Sequence, residues 1–155
     1  MKFSTRQDIE APIDYVFGQI TDFSAFERQA LRRGIRVKRK QDTLVAAVGL
    51  AWSIRASFRG AVREVETEVA TYDPPNAFSL TFHSAGLSGV LEVDVVALSR
   101  TSTRVTVGLD VRPQTLSARL LLQSVKLAKS SVQKRFDTRI SDLAATVEER
   151  YSTVA

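Results

Sequence analysis

The C-terminal third of the chain carries the strongest constraint on its fold. Leu121, Val125, Ala128, Val132, Phe136, Ile140, Leu143 and Val147 follow one another at steps of three or four residues, with no proline or glycine among them. That spacing puts all eight on one face of a helix of roughly eight turns. Thr115 or Ser117 is a suitable N-cap. A helix this long, apolar along one side, needs a broad apolar surface to lie on.

The preceding residues supply it. From Ile35 onward the apolar period changes to two, the period of a half-buried antiparallel strand. Trp52, Ile54, Ala56 and Phe58 alternate with Ser53, Arg55, Ser57 and Arg59, and Val65, Thr67 and Val69 alternate with Glu64, Glu66 and Glu68. Arg59 and Glu64 are placed to pair across the hairpin at Gly60. Phe78, Leu80 and Phe82 share one parity, as do Leu91, Val93 and Val95, then Val105, Val107, Leu109 and Val111. Asp73-Pro74-Pro75-Asn76, Ala85-Gly86 and Ser99 to Ser102 read as turns, and Pro113 stops the last strand. At the N-terminus, Phe3, Thr5, Gln7 and Ile9 share one face of a strand over Lys2 to Glu10. Pro12 then opens a helix carrying Tyr15, Val16, Phe17 and Ile20. Asp22 or Ser24 caps a second helix with Phe23, Phe26 and Leu31, which Gly34 ends.

The order of strand, two short helices, six strands and long helix resembles the START/Bet v 1-like superfamily, which includes the SRPBCC-type polyketide cyclase/dehydrase and lipid-transport proteins. Glu10-Ala11-Pro12-Ile13-Asp14-Tyr15-Val16-Phe17 and the Asp22-Phe23 that follows carry the resemblance, and Asp73-Pro74-Pro75 is similar to a hairpin turn of such proteins. It spans nearly the whole chain. One departure is that many relatives have a tryptophan soon after that aspartate, where this chain has Phe23 and Phe26. The resemblance implies an α+β helix-grip fold, one domain over residues 1–155, in which a curved antiparallel sheet of about six or seven strands wraps around a long C-terminal helix. It also implies an apolar internal cavity, because sheet and helix cannot close fully on each other. The expected lining is Trp52, Ile54, Phe58, Phe78, Leu80, Phe82, Leu91 and Val93, with Val125, Lys129, Val132 and Phe136 from the helix. The same alternation serves a packed core equally well.

Composition narrows the chemistry. The chain has no cysteine, which excludes disulfides, thiol catalysis and thiolate metal sites, and one histidine, His83, of the parity opposite to Phe78, Leu80 and Phe82. Glu64, Glu66, Glu68, Glu92, Asp94 and Asp8 fall on the polar parities of their strands. No phosphate-binding loop, metal-ligand spacing or nucleophile elbow is present. No cofactor, metal or classical catalytic constellation is therefore expected. Net charge is +5, and the dense cluster Arg32, Arg33, Arg36, Lys38, Arg39 and Lys40 reads as a solvated loop and edge strand, since edge strands use basic residues against aggregation. Without interleaved aromatics it offers no base-stacking surface, so no nucleic-acid partner is expected. The polar N-terminus lacks a leader's apolar run, and a cytoplasmic location is expected.

Two further features concern partners. Leu116, Leu120 and Leu127 lie opposite Val125 and Val132, flanked by Arg119, Lys126 and Lys134, as a patch for a membrane surface or a second subunit, or else packed beneath the loops joining the strands. Lys129 projects along the apolar stripe between Leu122, Val125, Val132 and Phe136. Its stem snorkels to water, a carboxylate pairs with it, or it meets the polar head of a ligand with Arg139 nearby. The leading functional expectation is binding of a hydrophobic or amphipathic small molecule, lipid-like, quinone-like or polyketide-like, as carrier or sensor. A cyclase/dehydrase-type enzyme and a co-chaperone or toxin-like interaction module are the alternatives.

Overall fold

The computed structural model describes residues 1–40, 46–58 and 60–155, with the backbone alone at Phe58. Seven strands form one antiparallel sheet: β1 (Lys2–Ile9), β2 (Arg36–Arg39), β3 (Ala51–Phe58), β4 (Ala61–Asp73), β5 (Ala77–Ser84), β6 (Leu87–Ala97) and β7 (Thr103–Pro113). Their spatial order is β1-β7-β6-β5-β4-β3-β2. Strands β2 to β7 form a meander, and β1 completes the sheet by pairing with β7. The chain must therefore cross from one edge of the sheet to the other between β1 and β2. Helices α1 (Ile13–Ile20) and α2 (Phe23–Arg32) make that crossing.

The local chemistry at each boundary follows the residues. Pro12, with φ −62° and ψ 151°, stands at the N-cap of α1. Asp22 caps α2, its Oδ1 accepting from the Ala25 N–H at 3.2 Å. Gly34, at φ +77°, lies just past the end of α2. The β5–β6 turn has positive φ at both Ala85 and Gly86, the backbone that two-residue hairpins favour because its twist matches that of the strands. Thr115 caps the helix after β7, accepting from the Ala118 N–H at 3.2 Å.

The C-terminal stripe departs from expectation. It is two helices, α3 (Leu116–Leu127) and the long α4 (Lys129–Val154). The break falls at Ala128, whose φ of −108° and ψ of 24° leave the helical region, and whose N–H donates to Val125 three residues back. The two segments have different supports, α3 lying on β7 and α4 on β1 and α1. The requirement to follow both, and no helix-breaking residue, is what sets the break. α4 is tied down at Glu148, whose Oε1 accepts from the Glu10 N–H at 2.8 Å.

The main core cluster gathers Ile9, Val16, Phe17, Ile20, Phe78, Val93, Val95, Val105, Val107, Ala144 and Val147. A smaller one holds Leu50, Trp52 and Val69. Phe23, Tyr72 and Leu80 pack partly buried against both. Among the described residues, no helix is long and apolar enough to cross a membrane.

Candidate ligand-binding site

Between sheet and helices lies a cavity of about 420 Å³, within the range of about 300–1,000 Å³ typical of small-molecule sites. The sheet contributes Gln7 and Ile9 from β1, Val37 from β2, Trp52 and Ile54 from β3, Thr67 from β4, Phe78 and Leu80 from β5, Leu91 and Val93 from β6, and Val105 and Val107 from β7. The rest of the wall is Ile20 of α1, Phe23, Phe26, Glu27 and Ala30 of α2, Ile35, and Ile140, Leu143 and Ala144 of α4.

Strand parity puts these side chains inward. Directly opposed residues of an antiparallel pair share a face, so the register pairs Val37 with Ile54, Arg39 with Trp52, and Trp52 with Thr67 on the concave side. On α2, residues 23, 26, 27 and 30 follow the i, i+3, i+4, i+7 spacing of one helix face. That face has no fully buried residue, and all four of its side chains border the cavity. Phe23 contacts Trp52 edge-on, with ring centroids 5.1 Å apart, and Phe78 at 5.9 Å.

Of the residues expected at the cavity, Trp52, Ile54, Phe78, Leu80, Leu91 and Val93 line it. The side chain of Phe58, like Arg59, lies outside the described residues. Phe82, Val125, Lys129, Val132 and Phe136 are not on the wall. Phe82 covers Gly89, its cross-strand partner. Val125 is buried on α3, and Phe136 packs against Phe3, with centroids 6.3 Å apart. Lys129 is exposed at the start of α4: the break at Ala128 removes its phase relation to Leu122 and Val125, and the part of α4 that it shares with Val132 and Phe136 does not reach the wall. Arg139 belongs to a shallow polar depression with Ser131, Lys134, Arg135, Thr138 and Asp142, away from the cavity wall. The helix reaches the cavity further along, at Ile140, Leu143 and Ala144.

The polar corner of the cavity went unread in the sequence. Glu27 Oε1 accepts from Trp52 Nε1 at 2.7 Å and from Arg39 Nε at 2.8 Å, and it lies 2.6 Å from Arg39 Nη2. Arg39 Nη2 also donates to Ser24 Oγ at 3.3 Å. Arg39, expected in solvent with its basic neighbours, is only 12% exposed at its side chain. The signals were present: Glu27 sits on the apolar face of α2, and Arg39 shares the parity of Ile35 and Val37. The rest of the cluster behaves as expected, with Arg32, Arg33, Arg36 and Lys38 exposed.

Charge elsewhere sits on the outer face. Lys40 pairs with Glu66, and Ser53 Oγ donates to Glu66 Oε1 at 3.0 Å. The lysine and serine contacts hold the Glu66 carboxyl below its usual range. Glu64 pairs with Arg55. His83 is exposed. Among the described residues, no group of three or more His, Asp or Glu side chains is placed to hold a metal.

Known proteins resemble this arrangement. A 14% identical protein from Thermus thermophilus, TTHA0849, superposes with a TM-score of 0.67, covering 100% of this chain and 99% of its own. The Zhui aromatase/cyclase from Streptomyces sp. R1128 is 12% identical with a TM-score of 0.68, covering 97% and 94%. Norcoclaurine synthase from Thalictrum flavum, in complex with dopamine and hydroxybenzaldehyde, is 11% identical with a TM-score of 0.69, covering 97% and 87%. These likenesses establish the helix-grip fold. No curated protein matches the chain in sequence. The family described as polyketide cyclase/dehydrase and lipid transport matches residues 1–148, and the chain belongs to it.

Proposed function

We propose that this domain holds a hydrophobic or amphipathic small molecule in the cavity and acts as its carrier or sensor. The observation that carries this reading is the makeup of the wall: among the described residues it has 21, of which only Gln7, Glu27 and Thr67 have polar side chains of hydrogen-bonding type besides the indole of Trp52. Such a wall rewards burial of apolar surface at about 25 cal/mol per Å² and offers little to a charge-separating reaction. A cyclase reading needs a general acid or base at the reacting atoms. Among the described residues, Glu27 is the one ionisable side chain on the wall, and its Oε1 is already engaged by Trp52 and Arg39. Native mass spectrometry of protein purified from its own cell type tests the proposal. A bound small molecule, released on denaturation, is expected. Ligand-free protein that also takes up no long-chain alcohol, isoprenoid or polycyclic aromatic compound overturns it.

A carrier must also reach its source, and we read α3 as the contact with an anionic membrane surface. Leu116, Leu120 and Leu127 are 72%, 57% and 93% exposed, on the side of α3 opposite the buried Ala118 and Val125. They do not pack beneath the loops joining the strands. α3 carries Arg119 and Lys126 and no acidic residue, which suits an interfacial helix facing anionic lipid. Co-sedimentation with phosphatidylglycerol vesicles is expected, with loss of binding in Leu120→Ser/Leu127→Ser. Equal failure with anionic and neutral vesicles overturns the membrane contact, and concentration-dependent dimerisation abolished by the same variant assigns the patch to a second copy.

A further inference from the structure

We propose that the cavity selects its occupant by the charge of its polar end, accepting hydrogen-bond donors such as an alcohol, phenol or amine and excluding carboxylates. This rests on the reading of the cavity as a ligand site and names the class of ligand.

The polar end of the cavity is defined by Glu27. Its side chain is 27% exposed, and the donors of Trp52 and Arg39 converge on one oxygen, Oε1. An ionised carboxylate has about four lone-pair sites, so Glu27 retains acceptor capacity for a further donor. Thr67, the cross-strand partner of Trp52, adds a hydroxyl to the same part of the wall.

Arg39 pairs with Glu27 itself, and among the described residues the wall adds no further cation for an incoming anion. Among the described residues, the wall contains no lysine, arginine or histidine. Arg39 donates to Glu27 and Ser24 and is not part of the wall. The Trp52 N–H is directed at Glu27. Lys129 and Arg139 are exposed and off the wall. A carboxylate entering the apolar cavity would lose its hydration without gaining a counter-charge from the wall, and where it needs a donor it would meet the Glu27 carboxylate, an acceptor whose own donors are engaged with it. A hydroxyl or ammonium meets an acceptor there.

The experiment uses the full chain and three ligands of equal length: 1-decanol, decylammonium and decanoate. Trp52 is the sole tryptophan of the chain and lines the cavity, so its emission reports occupancy without a label. At a pH of about 8, where decanoate is ionised, the wild type should bind decanol and decylammonium at least about tenfold more tightly than decanoate. Glu27→Gln retains an acceptor for Trp52 and Arg39 and shifts the local charge by one unit. It should weaken decylammonium and strengthen decanoate, each by about tenfold, with decanol changing least. A variant that merely loosened the fold would weaken all three together. Trp52→Phe, followed by calorimetry, gives a second reading: it releases one donor from Glu27 and should keep the order of the three ligands. Equal binding of the three by the wild type, or the same ratios in Glu27→Gln, overturns the charge selection and leaves the cavity as a ligand site. Tighter binding of decanoate also overturns it. Binding of none, with unchanged Trp52 emission, overturns the ligand site itself.

Discussion

Enlarging Ala144 tests whether the space beneath α4 is a true void, because the expected sign is opposite to that in a packed core. Ala144 is 8% exposed, joins the main core cluster and lines the cavity. Ala144→Leu adds three carbon atoms. Buried in empty space, each contributes about 0.8 kcal/mol, offset by about 0.5–1 kcal/mol of lost leucine rotamer freedom. A net gain of about 1.5 kcal/mol follows, and at about 2–4 °C per kcal/mol for a chain of this size the melting temperature should rise by about 3–6 °C. The same insertion into a close-packed core would cost about 1–3 kcal/mol. Thermal unfolding of delipidated protein, followed by circular dichroism, reads the sign. Ala30→Leu repeats the test from the α2 side of the same wall, where leucine is also a good helix former. Both variants should lose affinity for cavity ligands as they gain stability. A lowered melting temperature at both positions would mean that the walls already touch, and the reasoning from the cavity would fail.

Two further outcomes follow from contacts outside the cavity. A Cβ at Gly89 would stand 2.3 Å from Phe82 Cζ and 2.8 Å from the Asp110 carbonyl oxygen, so Gly89→Ala should lose about 2–3 kcal/mol in urea unfolding. Adding Phe82→Leu should recover only part, since the carbonyl remains; wild-type stability in Gly89→Ala would show that the strands yield there. The second outcome is a pH dependence. Arg104 donates to both oxygens of Asp8, at 2.8 and 3.2 Å, and that hydrogen bonding holds the Asp8 carboxyl below its ordinary 3.8, as Lys40 and Ser53 hold Glu66 below its ordinary 4.5. A depressed folded-state pKa gives stability that is present above the unfolded value and lost as pH falls through the folded one. The acid limb of the stability curve should therefore fall below these values, and Asp8→Asn/Glu66→Gln should flatten it there. An unchanged slope in the urea midpoint against pH would remove these two groups as its cause.

The periodicities determined which side of each strand is inward and where the hairpins turn, and they narrowed the caps of α2 and α3 to two candidates each. They did so because pleat and helix fix side-chain direction from spacing, whatever the rest of the molecule does. The family resemblance was legible separately, in the motif residues around Ala11-Pro12 and Asp22-Phe23. Three things waited for the tertiary structure. Ala128 has nothing in its sequence to mark a break; the helix turns there because β7 supports one segment and β1 the other. That break parted Lys129 from Leu122 and Val125, and α4 meets the cavity only further along, at Ile140, Leu143 and Ala144. The division between void and core was also invisible, since Leu91 at the cavity and Val95 in the core obey the same alternation. Finally, Glu27 on an apolar helix face and Arg39 on an inward parity each looked like a local exception. Only the crossing of α2 over the β2–β3 hairpin joins them through Trp52, because a buried charge finds its partner across space and the spacing of residues along a chain does not encode that distance.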